Sequence, residues 1–313
     1  MAAKELSPEL SSVFHEVVQI VNFIKSRPKN VRIFRQLALE AEADFVNLLL
    51  HSEIRWLSRG KVLKRVVAMR DEIGVFLRDV GHKLTDRLND DRWVAKVCFL
   101  SDIFTRLNAL NLSMQGKNKT VVDVVESINT FKQLLELDVK KMQNGKIASF
   151  PDLALFLEES KTVQLDDVSN LFVEYMEVLQ ARLNKYMPDD VNFTMEMSWV
   201  RNPFHAKVES IPEELQHDFI QLQNDQVSKD KFEKVPLLEF WATSTYGKLA
   251  ESASTMLLPF PTTYLCESGF SSLLHMKTKS RNRLVAEDDL RCSLTHNFTP
   301  NFSALSSQRI GLK

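Results

Sequence analysis

Two places in this chain bring together residue types suited to chemistry on a phosphodiester. In the first, a single carboxylate, Glu267, sits on the apolar segment Tyr264-Leu-Cys-Glu-Ser-Gly-Phe-Ser-Ser-Leu-Leu-His-Met276, and the cations Lys277, Lys279, Arg281 and Arg283 follow directly. A carboxylate is a ligand for a hard divalent cation, and a dense run of cations meets phosphate. Metal-dependent strand cleavage, however, needs about three carboxylates around two ions roughly 3.5–4 Å apart. One does not suffice. In the second place, Leu48-Leu-Leu-His-Ser-Glu-Ile-Arg-Trp-Leu-Ser-Arg-Gly-Lys61, an indole stands among cations. Trp56 is either a platform on which a base stacks, worth about 1–3 kcal/mol, with Arg55, Arg59 and Lys61 on neighbouring phosphates, or the cover of a junction in the fold, its indole N–H bonded to a carbonyl. The cations at 277–283 equally suit a local phosphate patch, a nuclear-import signal or a solvated strip.

Other chemistry finds little support. Of the seven histidines, only His296 lies three to five residues from a cysteine or another histidine, namely Cys292. A pair at i and i+4 shares a helix side, but two ligands make no zinc site. Gly-rich phosphate loops, Gly-x-Ser-x-Gly elbows and His-Glu-x-x-His pairs do not occur. Neither a metal nor a cofactor is therefore expected. Cys98, Cys266 and Cys292 are scattered, as reduced thiols in an intracellular protein would be. The 40 basic residues balance 41 acidic ones, a net charge of -1, so any attraction to nucleic acid must be local. The sequence shows no secretory leader and no apolar run of about 18 residues, and the expected compartment is the nucleus, or else the cytoplasm, with no membrane partner.

The elements that position these residues are mostly helical. The 313 residues are 44% hydrophobic, with only eight Gly and ten Pro, a composition that favours helix over turn-rich β structure. Apolar residues recur at three- and four-residue steps from Pro8 to Ile24, which predicts a helix with one buried stripe. Further helices are expected over Arg32–Ala43, Trp56–Leu77, from an Asp90-Asp91 cap to Leu110, Thr120–Met142, Pro151–Glu159 and Asp167–Tyr186. The run Phe45–Leu50 suits either a short strand or a helix end. Val191–Pro212 lacks a helical period and is expected to be extended, and Met195, Met197, Trp199 and Phe204 form an apolar cluster suited to an inter-domain core or a partner groove. Shorter helical pieces are expected over Glu213–Asn224, Pro236–Ser244 and Tyr246–Ala250, then a helix from near Pro261 and another over Asp288–Phe298.

The two motifs, in this order, resemble landmarks of hAT-family transposases and of host proteins derived from them. Glu267 takes the place of the acidic residue in a Ser-Glu-Arg-x-Phe-Ser-like motif, with Ser268 where the family has arginine, and Arg281-Asn-Arg-Leu284 matches a basic segment leading into the dimerisation helix. Leu48–Lys61 is similar to the family's Arg-Trp motif in vertebrate domesticated copies, and the chain resembles the transposase-like regions of vertebrate BED-zinc-finger and FAM200-type proteins. The resemblance runs from about Leu10 to Ala304 and corresponds to the C-terminal part of a transposase. It implies a mostly α fold: a truncated RNase H-like remnant at 1–56, an all-helical insertion domain at 57–190, connecting extended and helical segments at 191–260, and a C-terminal RNase H-like helix with the hAT dimerisation region at 261–313. The strands carrying the two catalytic aspartates, the BED-type finger and the Cys-x-x-His motif are expected to be missing. The resemblance therefore implies no catalytic residue, Glu267 being vestigial. It implies a dimerisation surface built from Leu265, Phe270, Leu273, Leu274, Leu290 and Leu294, with a second copy or a related transposase-derived protein as partner. Weak DNA binding through Arg55, Trp56, Arg59, Lys61, Lys277, Lys279, Arg281 and Arg283, and a residual metal-dependent nuclease, are the rival readings.

Overall fold

The computed structural model describes residues 6–43, 45–49, 57–116, 119–187, 197–259, 262–277 and 285–294. Among these there is no strand. The described residues are mostly helical, arranged around two apolar cores and a helical hairpin that belongs to neither.

The first core is built by α1 (Pro8–Lys25), α2 (Pro28–Glu40), α3 (Leu57–Ala68), α4 (Arg70–Asp79), α5 (Asp91–Ser113), α6 (Val121–Gln143), α7 (Pro151–Glu159) and α8 (Ser169–Tyr186). Helix α1 buries Leu10, Val13, Phe14, Val17, Ile20, Val21 and Ile24, the stripe its sequence spacing predicts. Proline at the first position of α2 starts that helix earlier than Arg32, because a residue without an N–H costs nothing there. Residues 6–43, placed by the resemblance in an RNase H-like remnant, hold the two expected helices, packed into the same core as α3–α8, and 45–49 is irregular chain.

Helix α5 is the axis of this body. Asp90 caps it by accepting from the N–H groups of Arg92 and Trp93, and it packs on α1, α3, α6 and α7. It is buried on most sides, and Phe99 stacks on Phe172 of α8 with ring centroids 4.1 Å apart. The single helix expected over Trp56–Leu77 is instead two, α3 and α4. Met69 leaves helical geometry at φ -116°, ψ 25°, and is itself fully buried. Without glycine or proline at the break, nothing in the local pattern announces it.

Helix α6 joins the two cores. Its N-terminus is closed by a reciprocal cap between Thr120 and Asp123. Val122 at this end belongs to the second core, whereas Phe131, Leu135, Val139 and Met142 belong to the first. The second core is aromatic. A helical stretch at 197–201 (α9) carries Met197, Trp199 and Val200, which pack with α10 (Gln216–Asn224), α12 (Leu237–Ala242) and α13 (Gly247–Leu257). Helix α11 (Gln226–Phe232), which the sequence pattern did not predict, packs on α10 and α12. Trp199 meets Trp241 edge-on at 5.5 Å, and the Trp241 indole donates to the Val200 carbonyl at 2.9 Å. Helix and 3-10 turns (Val208–Ser210) thus replace the expected extended segment in its described part. Both Trp199 and Val200 of this helical turn are buried in the second core.

Candidate functional site

Glu267 lies in the first turn of α14 (Tyr264–Met276), the helix expected from near Pro261. It is exposed, and its carboxylate accepts a hydrogen bond from Thr263 Oγ1 at 3.0 Å. An acidic residue in a first turn also meets the positive end of the helix dipole, so local helix energetics account for its placement. Among the described residues there is no group of three or more His, Cys, Asp and Glu side chains that could hold a metal ion.

The remaining candidates divide between described and undescribed chain. Arg55 and Trp56 lie outside the described residues, as do Lys279, Arg281, Arg283 and His296. Of the first cationic group, Lys61 is exposed at the start of α3, while Arg59 is half-buried with its guanidinium 4.9 Å from the Phe14 ring centroid. Arg59 is held by the first core. Lys277, just beyond α14, is exposed.

The apolar candidates come together. Helix α14 packs on α15 (Glu287–Leu294), and Leu294 lies against Gly269, 3.9 Å from where a β-carbon would stand. Leu273 and Leu290 are half-buried, and Ala286 is buried. Phe270 and Leu274, one helical turn apart and therefore on one face, are 66% and 73% exposed. Leu294 is 43% exposed, and the side chain of Leu265 lies outside the described set. So α14 presents apolar side chains to solvent, not to either core. Cys266 and Cys292 are exposed free thiols on the same two helices.

Motif reading does not find a polar network inside the first core. Asp102 of α5 accepts from the backbone N–H groups of Asp152 and Leu153, at 3.2 and 3.0 Å, and so caps α7 from a distance in sequence. Asp152 in turn accepts from Ser101 at 2.7 Å and pairs with Lys64. Burial outweighs these hydrogen bonds and pushes the Asp102 carboxyl up to about 7; the neighbouring Cys98 thiol is pushed up to about 12 by the same burial. A thiol so raised is inert as a nucleophile. These groups hold α5, α3 and α7 together.

Comparison with known families bears on the first half of the chain. Residues 1–143 match the FAM200-GTF2IRD2-like family, described as the FAM200/GTF2IRD2 helical domain. This is a transposase-derived family. The match ends at Gln143, the last residue of α6, so it takes in the helices from α1 to α6. The mostly helical architecture agrees with what the sequence implied, and similarity of residues 1–143 to a transposase-derived helical family is compatible with the resemblance carried by the motifs. No solved structure matches the chain. No described helix is long and apolar enough to cross a membrane.

Proposed function

We propose that the chain is a domesticated hAT transposase-like protein that cuts no DNA and works in the nucleus through protein–protein contact, self-associating through α14 and α15. The observation that carries this reading is the exposed pair Phe270 and Leu274 on a hairpin that packs mainly on itself. Burying such a pair against a second copy removes apolar area from water at roughly 25 cal/mol per Å², and a symmetric copy supplies the same surface in return. The hAT-type motif around Glu267 on the same helix fits the role that its resemblance implies. Inactivity rests on ligand counting. An exposed Glu267 bonded to Thr263 is one carboxylate where two-metal cleavage needs about three.

Light scattering on the pure protein tests the association. The expected mass is twice the 36.0 kDa of one chain, falling to one chain in Phe270→Asp and Leu274→Asp. A wild-type monomer at tens of micromolar would sink it. Incubation with hairpin and linear DNA in Mg²⁺ or Mn²⁺ tests inactivity, and cleavage lost in Glu267→Gln would overturn that part.

A further inference from the structure

Several cations of the α1–α8 body have a carboxylate beside them: Lys64 with Asp152, Arg87 with Glu16, Arg92 with Asp167, Lys96 with Glu9, Arg106 with Asp138. One corner instead gathers cations with no such partner among the described residues. Between Glu16 and Glu40 the sequence holds no acidic residue and five basic ones, Lys25, Arg27, Lys29, Arg32 and Arg35. They lie at the end of α1, in the turn and along α2, and all are exposed except the half-buried Lys25. None forms an ion pair with a described residue. The turn after α4 adds to this corner. The Phe23 ring lies 4.3 Å from the His82 ring and 4.8 Å from the Arg27 guanidinium. Burial, helped by the charges of Lys83 and Arg27, holds the His82 pKa below its usual value, so positive charge from two separate segments converges there. The N-terminus of α2 opens into the same corner with no side-chain cap and no acidic residue in its first turn.

We propose that this corner, centred on Arg27, Lys29, Arg32 and Lys83, binds the phosphate backbone of duplex nucleic acid. Gathering several cations side by side costs repulsion, which an external polyanion relieves. Lys29 to Arg35 spans about 9 Å of helix axis, and a duplex offers one negative charge per about 1.7 Å, so one docked duplex places several phosphates within reach. Arg27, Arg32 and Arg35 are arginines, whose planar forks match phosphate oxygens. An anionic membrane fits less well. The exposed apolar residues of α2, Ile33 and Leu39, lie about 120° apart around the helix at 100° per residue, so they form no single face to insert. The surface is built from α1, α2 and the turn after α4, and the proposal does not depend on self-association through α14 and α15.

The test is fluorescence anisotropy of the whole protein with a labelled duplex of mixed sequence, titrated over a range of salt. Binding at low salt is expected, weakened at least about tenfold in Arg27→Gln/Lys29→Gln/Arg32→Gln, with the slope of log affinity against log salt smaller by about 2 to 3. A charge-matched triple, Lys141→Gln/Lys146→Gln/Lys161→Gln, is expected to bind within about twofold of wild type. Thermal melts check that both triples fold, and Lys29→Glu alone serves as a second probe of the corner if the first does not. The proposal fails if the duplex is not bound at low salt, if the two triples lose affinity equally, or if phosphatidylserine vesicles are bound and the duplex is not.

Discussion

Helices α5 and α14 carry similar apolar residues at helical spacing, yet they end in opposite environments. Helix α5 buries Trp93, Val97, Phe99, Leu100, Ile103 and Phe104 among neighbours on nearly every side. No described side chain of α14 is buried, and its Phe270 and Leu274 face solvent. Periodicity tells that a helix has an apolar face. Which surface covers that face depends on partners that the period does not encode, whether another helix of the same chain or another molecule.

The comparison breaks most sharply at Phe99. Its ring is fully buried, stacked on Phe172 and edge-on to Tyr175, so Phe99→Ala removes contacts that the rigid body cannot refill. The expected cost is about 3–5 kcal/mol, seen as a large fall in the midpoint of chemical denaturation. A cost below about 1 kcal/mol would mean that the body repacks freely, and the contrast with α14 would vanish.

A pH series sharpens the same contrast through Asp102. Its carboxyl titrates at about 7 in the fold against 3.8 for the ordinary group, so between these values the folded state binds more protons than the unfolded chain. Stability therefore falls as pH rises from about 4 to 7 and levels off above, by at most roughly 4 kcal/mol. Asp102→Asn keeps one oxygen for one of the two α7 N–H groups, loses the acceptor for the other and carries no charge. It is expected to flatten this slope. A slope unchanged in the variant would assign the pH dependence to other groups.

What the sequence made legible follows from where the determinants sit. Helices α1, α5 and α7 were readable because stripe, cap and proline are all local: Ser7 and Pro8 open α1, Asp90 opens α5 and Pro151 opens α7. The break at Met69 was not, because burial of that residue, not a breaker residue, sets it. The helical turn at Trp199 was hidden for the same reason, since its period is too short to register and tertiary burial decides it. At the candidate site, Glu267 and the α14 face were found by motif, but their exposure was beyond reach of pattern. Capping of α7 by Asp102 pairs residues about 50 positions apart, and no local signature announces it. The cationic corner at Lys25–Arg35 did have a simple signal, the absence of any acid between Glu16 and Glu40, which a search for enzyme motifs passes over.

A smaller effect is expected where α6 begins. Thr120 is buried and exchanges hydrogen bonds with Asp123, closing the end of the helix that both cores share. Thr120→Ala removes one half of this cap at a cost of about 1 kcal/mol. Because Val122 belongs to the second core and Phe131 to the first, the loss should shift the melting of both cores together. Hydrogen exchange that loosens only one of them would show that α6 does not couple them.

The smallest stability effect is expected at the α14 face, and that is what makes the substitution there decisive. In one isolated chain Leu274 is 73% exposed, so Leu274→Asp removes almost no buried area and should move the unfolding free energy by no more than about 0.5 kcal/mol at high dilution, where any dimer has dissociated. At higher concentration the two proteins should part company. If a second copy covers Leu274, the wild-type midpoint rises with concentration, since binding to the folded state alone adds stability, while the variant's midpoint stays flat. A variant destabilised by several kcal/mol at high dilution would mean instead that α14 packs on its own chain in solution. Then α5 and α14 would differ only in degree, with no apolar face left for a partner.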